Sequence, residues 1–282
     1  MLNDKTILIT GGTGSIGLRL VETLIARGFK NLVVVARDEA NLIALKTKYG
    51  FIKIITGDIA DAFTCQRACQ GVDGVFHLAG FKHIALAEEQ TYRCVKTNVV
   101  GTLNLLEESK NLSEFFIMIS TDKADKPIAI YSASKHMGEK IVEEFSKTNP
   151  KIKYRVVRFG NVWNTKGSFI EKWRYQIHEE QDITVTDANA TRFFITKDEA
   201  IDLIFECLDG DNVKPFMPTN LKAISMGKVL EAFQHHYGKC GVKFIGLQPG
   251  ENLHETLDGK TYSNEVEQYT VKGFEKKFIC KE

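Results

Sequence analysis

Residues 6–17 read TILITGGTGSIG and decide the fold, because an apolar, β-branched run leads directly into glycines at positions 11, 14 and 17. The run predicts a buried strand, and the glycine spacing predicts a turn that opens the next helix. Gly11 permits the tight turn, Gly14 lets a pyrophosphate approach the backbone, and Gly17 lets the helix pack closely on the strand. The commoner spacing is GxGxxG, and a glycine-rich turn without a ligand is the alternative. The residues predicted to bind a dinucleotide here are these three glycines with Thr10, Ser15 and Ile16.

Apolar runs alternate with amphipathic stretches along the first part of the chain. The runs predict strands at 6–10, 31–36, 52–56, 74–79, 115–120 and 154–159. Stretches with helical period predict helices near 15–27, 38–48, 61–70, 86–110 and 131–148. Because parallel strands need crossover connections, this alternation predicts an α/β fold with a doubly wound parallel sheet of the Rossmann type.

The alternation weakens after residue 159, where short strands, turns and a few helices mix, including a predicted helix at 197–208. We therefore predict that residues 1–160 form a dinucleotide-binding domain that carries the catalytic residues. Residues 161–282 are predicted to form mainly a smaller α/β substrate-binding lobe, with some elements returning to the main sheet. No linker rich in Pro, Gly or Ser marks the boundary.

Composition restricts the possible function classes. The formal net charge is +1 and no Lys/Arg block stands out, so a nucleic-acid partner has no electrostatic footprint. No apolar run approaches the ~18 residues that cross a bilayer, so we predict a soluble, cytoplasmic protein without a membrane partner. The six cysteines are scattered and expected to be reduced. Cys65 and Cys69 lie four apart on a predicted helix, but no second ligand pair follows, so we predict buried thiols and no metal.

The end of the second predicted strand bears on the choice of cofactor. An Asp or Glu at this place would bind the ribose 2′-hydroxyl of NAD, but the chain has Ala36 and Arg37. An Arg can pair with a 2′-phosphate, so NADP is favoured over NAD. The adjacent Asp38 argues the other way, although it is also a natural N-cap for the next helix. Asp58, followed by Ile59 at the end of the third strand, could accept from the adenine amino group or could simply form a turn.

Tyr131 and Lys135 fit the pattern YxxxK on a predicted helix, which places both side chains on one face. A nearby ammonium lowers the pKa of a phenol, so Tyr131 could accept a proton near neutral pH, and Lys135 could also hold a nicotinamide ribose. Taken alone, YxxxK is more often an accidental surface pair.

Other motifs surround YxxxK in a characteristic order. HLAG at 77–80, Asn98, and Ser120 with Thr121 lie between the glycine turn and YxxxK, and this order resembles the extended short-chain dehydrogenase/reductase superfamily. The stretches STDKADKPIAIYSASK, RFGNVWNTKGSF, TRFFIT and PGENLHE are similar to the UDP-N-acetylglucosamine 4,6-dehydratases of polysaccharide biosynthesis. The resemblance implies NADP, a UDP-sugar substrate and a homo-oligomer, with Ala79, Lys82, Asn98 and Ser120 among the cofactor ligands.

The resemblance also implies two pieces of chemistry on one sugar. Tyr131 would take the proton of the 4-hydroxyl, supported by Lys135 and by the hydroxyl of Thr121 or Ser120. Asp122 would then protonate the departing 6-hydroxyl, and Lys123 would remove the proton on carbon 5. We expect the pKa of Lys123 to fall beside Lys135 or Lys82, and Asp122 to stay protonated in a dry pocket. A solvated turn is the alternative for Asp122 and Lys123.

The remaining motifs are expected to hold the substrate. The resemblance implies that UDP is held by Lys82, Asn161, Lys166, Ser168, Thr191, Arg192 and Glu251, while His254 is expected to be structural. The family's RPGE is QPGE here, so Gln248 stands where an Arg is expected near the diphosphate. The second enzymatic hypothesis is a 4-epimerase or 4-ketoreductase, because both would use Tyr131 and Lys135. Neither of these reactions needs Asp122 or Lys123, which distinguishes them from a dehydratase. The third is a non-catalytic NADP-binding sensor.

Overall fold

The main sheet has six parallel strands, as predicted, in a computed structural model that describes residues 2–210, 214–219 and 221–280. The strands are β1 (Thr6–Thr10), β2 (Asn31–Ala36), β3 (Lys53–Thr56), β4 (Gly74–His77), β5 (Phe115–Thr121) and β6 (Lys153–Phe159). Their order is β3-β2-β1-β4-β5-β6. The strand order reverses between β1 and β4, and ligands of doubly wound sheets bind beyond the carboxyl ends of the strands at such a reversal.

Helices connect these strands and cover both faces of the sheet. They are α1 (Ser15–Ala26), α2 (Glu39–Lys48), α3 (Ala62–Cys69), α4 (Ile84–Glu89), α5 (Thr91–Val95), α6 (Gly101–Glu108) and α7 (Ile130–Thr148). Side chains of β1 alternate between two apolar cores, with Ile7 and Ile9 in one and Leu8 in the other. The continuous apolar runs of the sequence thus reflect strands that are buried on both faces.

The prediction of a single helix near 86–110 is wrong in detail. The segment is divided into α4, α5, a π-helical stretch Lys96–Val100 and α6. Gln90 separates α4 from α5 because its backbone angles, φ −122° and ψ 49°, are not helical. The π-helical stretch carries Asn98, whose side chain bonds to both backbone groups of Phe81. π-turns are frequent at functional sites.

The second half of the chain builds two small sheets and returns one helix to the main sheet. Its elements are β7 (Asn161–Val162), α8 (Phe169–His178), β8 (Ile183–Val185), β9 (Thr191–Ile195), α9 (Lys197–Asp209), β10 (Ala223–Ser225), α10 (Met226–Tyr237), β11 (Val242–Phe244) and α11 (Val271–Phe274). The small sheets have the orders β10-β9-β7 and β11-β8. An aromatic core that includes Trp163, Trp173 and Phe233 fills the lobe. Apolar residues of α9 belong instead to the core that contains Ile7 and Ile9.

The described residues contain no helix that is both long enough and apolar enough to span a bilayer.

Candidate active site

The glycine turn between β1 and α1 can be formed only without side chains. Gly11 has a φ of +69°, and a Cβ placed on it would lie 2.8 Å from the backbone nitrogen of Ala79. A Cβ on Gly17 would lie 2.2 Å from the carbonyl oxygen of Gly11. Gly14 caps α1 without a side-chain hydrogen bond, so no side chain covers the first N–H groups of the helix there. This turn fits the pyrophosphate of a dinucleotide.

A cavity of about 950 Å³ lies beyond the carboxyl ends of the strands and continues into the lobe. The predicted site residues that line it are Gly11, Gly14, Ser15, Ile16, Gly17, Arg37, Asp58, Ile59, Ala79, Lys82, Ser120, Thr121, Lys123, Tyr131, Lys135, Asn161, Ser168, Arg192 and Glu251. The predicted residues outside this lining are Thr10, Asn98, Asp122, Lys166 and Thr191.

Thr10 and Asn98, which were predicted as cofactor ligands, lie behind the cavity wall and bond to the segment that follows β4. The Thr10 hydroxyl lies 2.8 Å from Nδ1 of His77 and accepts a bond from the Ala79 N–H. The Asn98 amide oxygen accepts from the Phe81 N–H at 2.7 Å, and its NH₂ donates to the Ser134 hydroxyl at 2.9 Å. Both side chains are buried, and their hydrogen bonds fix the loop after β4.

The end of β2 offers a cation to the cavity. The Arg37 guanidinium is 58% exposed and lies 3.7 Å from the Asp58 carboxylate. The neighbouring Asp38 accepts from the Asn41 N–H at 3.1 Å, so it is the N-cap of α2. Hydrogen bonds from Asn41 lower the pKa of Asp38, and the Lys166 ammonium adds to this effect. Arg37 is therefore the side chain here that suits a phosphate, and the Lys166 ammonium is close enough to influence the same end of the cavity.

The backbone of Lys166, in the lobe, is hydrogen-bonded to two residues that line the cavity, Ser15 and Lys82. The Lys166 N–H donates to the Ser15 hydroxyl at 2.8 Å, and the Lys82 ammonium donates to the Lys166 carbonyl. Burial lowers the pKa of Lys82. The Ser168 hydroxyl is buried at the cavity and has no hydrogen-bond partner among the described residues.

Tyr131 and Lys135 lie in the first turns of α7 and face the cavity, as predicted from their spacing. Lys135 donates to the Ile119 carbonyl at 2.5 Å, and burial lowers its pKa to about 8. Burial raises the pKa of the Tyr131 phenol, against the opposing effects of the Lys123 ammonium and a hydrogen bond with Thr121. The Lys123 ammonium, which sequence reasoning did not connect with Tyr131, thus favours ionisation of this phenol.

The hydroxyl that reaches Tyr131 is that of Thr121. The Thr121 hydroxyl also donates to Oδ1 of Asp122 at 2.9 Å, so it joins the phenol to that carboxyl group. The Ser120 hydroxyl donates instead to Glu139, a buried carboxylate that also pairs with Arg158 at 2.6 Å.

Four charged side chains form a buried quartet beside Tyr131. The Lys123 Nζ lies 2.9 Å from Oδ1 of Asp122 and 3.2 Å from Oε1 of Glu255. The Arg192 Nε lies 3.9 Å from the same Glu255 oxygen. The side chains of Asp122 and Glu255 are each 1% exposed and that of Lys123 is 12% exposed. Oδ2 of Asp122 has no hydrogen-bond partner in the described part of the chain.

This quartet contradicts the pKa that was expected of Lys123. Burial lowers the pKa of its ammonium, but the contacts with Asp122 and Glu255 outweigh burial and raise it. Burial raises the pKa of Asp122 despite the nearby Lys123, which agrees with an acid that stays protonated. Burial opposes ionisation of Glu255, but Lys123 and Arg192 lower its pKa. The solvated turn that was the alternative for Asp122 and Lys123 is excluded by their burial.

Sequence reasoning missed Glu255, which is the last residue of PGENLHE. The segment is held in place partly by Arg158, which donates to the Leu257 carbonyl at 2.9 Å. Thr191 contributes to the same anchoring, because its hydroxyl lies 2.8 Å from Nδ1 of His254 and 2.6 Å from the Ser263 hydroxyl. Thr191 thus helps to hold the segment, and His254, predicted to be structural, is one of its partners.

The thiols of Cys65 and Cys69 are buried, and burial raises the pKa of each to about 12, so they are unreactive. Possible metal ligands come together elsewhere, where His236, Glu275 and Cys280 have ligand atoms within 4.8 Å of one another. These three residues are not among those lining the cavity.

The family comparison covers nearly the whole chain. A family model described as "Polysaccharide biosynthesis protein" matches residues 7–276. The chain belongs to the polysaccharide biosynthesis protein family. The family predicted from the motifs around YxxxK, within the extended short-chain dehydrogenase/reductase superfamily, is confirmed.

Relatives of this family member carry several names. One from Campylobacter jejuni, named UDP-N-acetylglucosamine 4,6-dehydratase (inverting), is 30% identical over 100% of this chain and 86% of its own length. One from Methanocaldococcus jannaschii, named an uncharacterized membrane protein, is 38% identical over 90% of this chain and 80% of its own length. A UDP-glucose 4-epimerase from Rickettsia bellii is 32% identical over 91% of this chain and 78% of its own length.

The fold of this family member is also found in solved structures. An X-ray structure of Pen from Bacillus thuringiensis aligns with a TM-score of 0.85 and 29% identity, covering 90% of this chain and 81% of that one. Together the comparisons place the chain among enzymes of the nucleotide-sugar dehydratase and epimerase type.

Proposed function

We propose that the chain is an NADP-dependent 4,6-dehydratase that converts UDP-N-acetylglucosamine to a UDP-4-keto-6-deoxy-N-acetylhexosamine. The observation that carries this proposal is the buried contact of Asp122 and Lys123 beside Tyr131. Epimerisation or ketoreduction at carbon 4 needs only the Tyr131–Lys135 pair. Loss of water across carbons 5 and 6 needs a further acid and a further base, and this contact supplies candidates for both.

The residues present fit NADP. Gly11, Gly14 and Gly17 leave the space in which a pyrophosphate can approach the backbone, and Arg37 offers a cation for a 2′-phosphate. Lys135, which lines the cavity, is proposed to hold the nicotinamide ribose. When bound, NADP would supply the hydride acceptor and donor that the reaction needs.

The first proton transfer is assigned to Tyr131. Its phenolate would accept the proton of the sugar's 4-hydroxyl, and the Lys123 ammonium and the Thr121 hydroxyl favour that ionised form. The Thr121 hydroxyl donates to Oδ1 of Asp122 and interacts with Tyr131, so it lies between the phenol and that carboxyl group. After Asp122 has given its proton to the 6-hydroxyl, the proton held by the phenol would pass through Thr121 and restore the acid form of Asp122.

The second stage is assigned to Asp122 and Lys123. Asp122, kept neutral by burial, would give a proton to the 6-hydroxyl, so that the carbon–oxygen bond breaks and water leaves. Lys123, once its ammonium has passed a proton across the 2.9 Å contact to Oδ1 of Asp122, would take the proton on carbon 5, leaving that electron pair conjugated with the 4-ketone. Asn161, Ser168, Arg192 and Glu251 line the cavity and are proposed to hold the UDP part.

The relatives named for UDP-N-acetylglucosamine and UDP-glucose support a UDP-sugar substrate. The second candidate function is a UDP-sugar 4-epimerase, which the Rickettsia bellii relative favours. A homo-oligomer and a cytoplasmic location, with no nucleic acid as partner, stay predictions.

The test is incubation of the purified protein with UDP-N-acetylglucosamine in deuterated water, with the product identified by NMR. We expect a 4-keto-6-deoxy sugar with deuterium at carbon 5, and the configuration there will distinguish retention from inversion. The variant Lys123→Met should give no such product. A 4-epimer without loss of the 6-hydroxyl would overturn the proposal in favour of an epimerase. Binding of NADP without binding or turnover of any UDP-sugar would favour the sensor.

A further inference from the structure

Glu255 reaches Lys123 from a part of the chain far from it in sequence. Oε1 of Glu255 lies 3.2 Å from the Lys123 Nζ, and the opposite contact of that ammonium is Oδ1 of Asp122 at 2.9 Å. The ammonium is thus held between two carboxyl groups, one on its own turn and one on the C-terminal segment.

Glu255 is held in place by one hydrogen bond to its carboxylate and two to its backbone. Its Oε2 accepts from the Asn252 NH₂ at 3.1 Å. Its backbone N–H donates to the Ser263 hydroxyl at 2.9 Å, and its carbonyl accepts from the Ser263 N–H at 2.8 Å. Because the residue is 1% exposed and lines the cavity, water screens its interaction with Lys123 little.

We propose that Glu255 is a positioning residue for the carbon-5 proton transfer, holding the Lys123 Nζ against Asp122 and setting both the basicity of that amine and the pH above which it is neutral. The inference rests on the proposed dehydratase function. It adds a residue whose effect is exerted through Lys123.

The physical reason is that Glu255 has opposite effects on the fraction of Lys123 that is neutral and on the base strength of the neutral amine. A carboxylate in contact stabilises the ammonium, so a smaller fraction of Lys123 is neutral at a given pH. The neutral amine that remains is a stronger base, because the ammonium that it forms on taking the carbon-5 proton is stabilised equally. In that step the bond from carbon 5 to hydrogen breaks, an N–H bond forms, and the electron pair is delocalised onto the 4-ketone.

The groups that face Lys123 come from several elements. Asp122 lies on its own turn, Glu255 on the C-terminal segment, Arg192 on β9 and Tyr131 on α7. Arg192 opposes protonation of Lys123, while the two carboxyl groups favour it. Of the two carboxyl groups, burial favours the neutral form of Asp122, whereas the pKa of Glu255 is lowered, so Glu255 is the permanent negative charge.

Exchange of the carbon-5 proton isolates this step from the redox chemistry. The 4-keto-6-deoxy sugar nucleotide would be returned to the enzyme in deuterated buffers of increasing pH, and deuterium at carbon 5 followed by NMR. For the unmodified protein we expect the exchange rate to keep rising with pH through the alkaline range. For Glu255→Gln the rate should level off at a pH lower by about one unit or more, and at a lower maximum.

A purely structural role would lower the maximum without moving the pH at which the rate levels off. Glu255→Asp keeps the charge but shortens the side chain, so its profile should lie between those of the wild type and Glu255→Gln. Glu267→Gln removes an exposed carboxylate of the same C-terminal region and should leave the profile unchanged. Should Glu255→Gln not fold, Glu255→Asp carries the test through its smaller downward shift.

An unchanged pH profile in a folded Glu255 variant that still exchanges, or a shift to higher pH, would overturn the inference. Failure of the wild type to form any 4-keto-6-deoxy product from UDP-N-acetylglucosamine would instead overturn the proposed function. The two failures are therefore distinguishable.

Discussion

Replacing Lys123 by Met removes the ammonium that lies between two buried carboxyl groups while keeping a side chain of similar volume. Removing one partner of a buried ion pair lowers the free energy of unfolding by about 3–5 kcal/mol, because the remaining buried charge has no counter-charge. Two features of the quartet favour a cost at the lower end of this range. Arg192 stays 3.9 Å from Glu255, and Asp122 can remain protonated. We expect a loss of about 3 kcal/mol in the free energy of unfolding at pH 7.

The pH dependence of this loss has a definite sign. The pKa of Glu255 is lowered in the folded protein, so its contribution to stability is present above its usual value of 4.5 and is lost as the pH falls. The pKa of Lys123 is raised from 10.5, so its contribution is present below that value and is lost only at high pH. The cost of Lys123→Met should therefore be full near pH 7 and smaller near pH 4.

Denaturant unfolding followed by circular dichroism at both pH values measures this cost. At about 2–4 °C per kcal/mol for a large domain, the melting temperature at pH 7 should fall by about 6–12 °C. Lys140→Met is the matched control, because Lys140 pairs with Glu143 on the exposed side of α7 and its loss should change stability little. A loss below about 1 kcal/mol at pH 7, or an equal loss at pH 4, would refute the assignment of a buried charge quartet.

Two further substitutions address the cofactor site. Gly17→Ala should abolish NADP binding in a calorimetric titration, because the new Cβ would lie 2.2 Å from the Gly11 carbonyl oxygen. Gly50→Ala is the control: its Cβ would meet nothing within 4 Å, so this variant should bind NADP normally. Arg37→Ala should weaken binding of NADP by about tenfold or more and leave NAD affinity nearly unchanged, and equal weakening of both would contradict a role at the 2′-phosphate.

The nucleotide-binding half was predictable because its signals are local. Each parallel strand is a short apolar run, and the glycines of the first turn follow the strand directly, so neighbouring residues carry the information. The segment 86–110 was less predictable for a related reason. Its apolar spacing continues through Gln90 and Asn98, but periodicity encodes neither the non-helical backbone angles of Gln90 nor the hydrogen bonds between Asn98 and Phe81.

The proposed acid Asp122 and base Lys123 could be located from the sequence, but the direction in which the pKa of Lys123 shifts could not. Tyr131 and Lys135 occupy one helix face because of their spacing alone. Lys123 was expected to lie among other ammonium groups because Lys135 and Lys82 belong to nearby motifs. Its partners are the adjacent Asp122 and also Glu255, and these two carboxyl groups together move the pKa in the opposite direction. The contact with Glu255 is the one that sequence reasoning did not supply. Such a contact is a product of the tertiary fold, and a single sequence contains no signal for it.

The proposed division at residue 160 consequently separates the fold more cleanly than it separates the chemistry. Asp122, Lys123 and Tyr131 lie in the first part, whereas Glu255 and Arg192, which complete their charge balance, lie in the second. Arg158 ties the parts together by donating to the Leu257 carbonyl. Because a buried ammonium needs its counter-charges to remain where it is, the active site is complete only when the C-terminal segment is docked on the sheet.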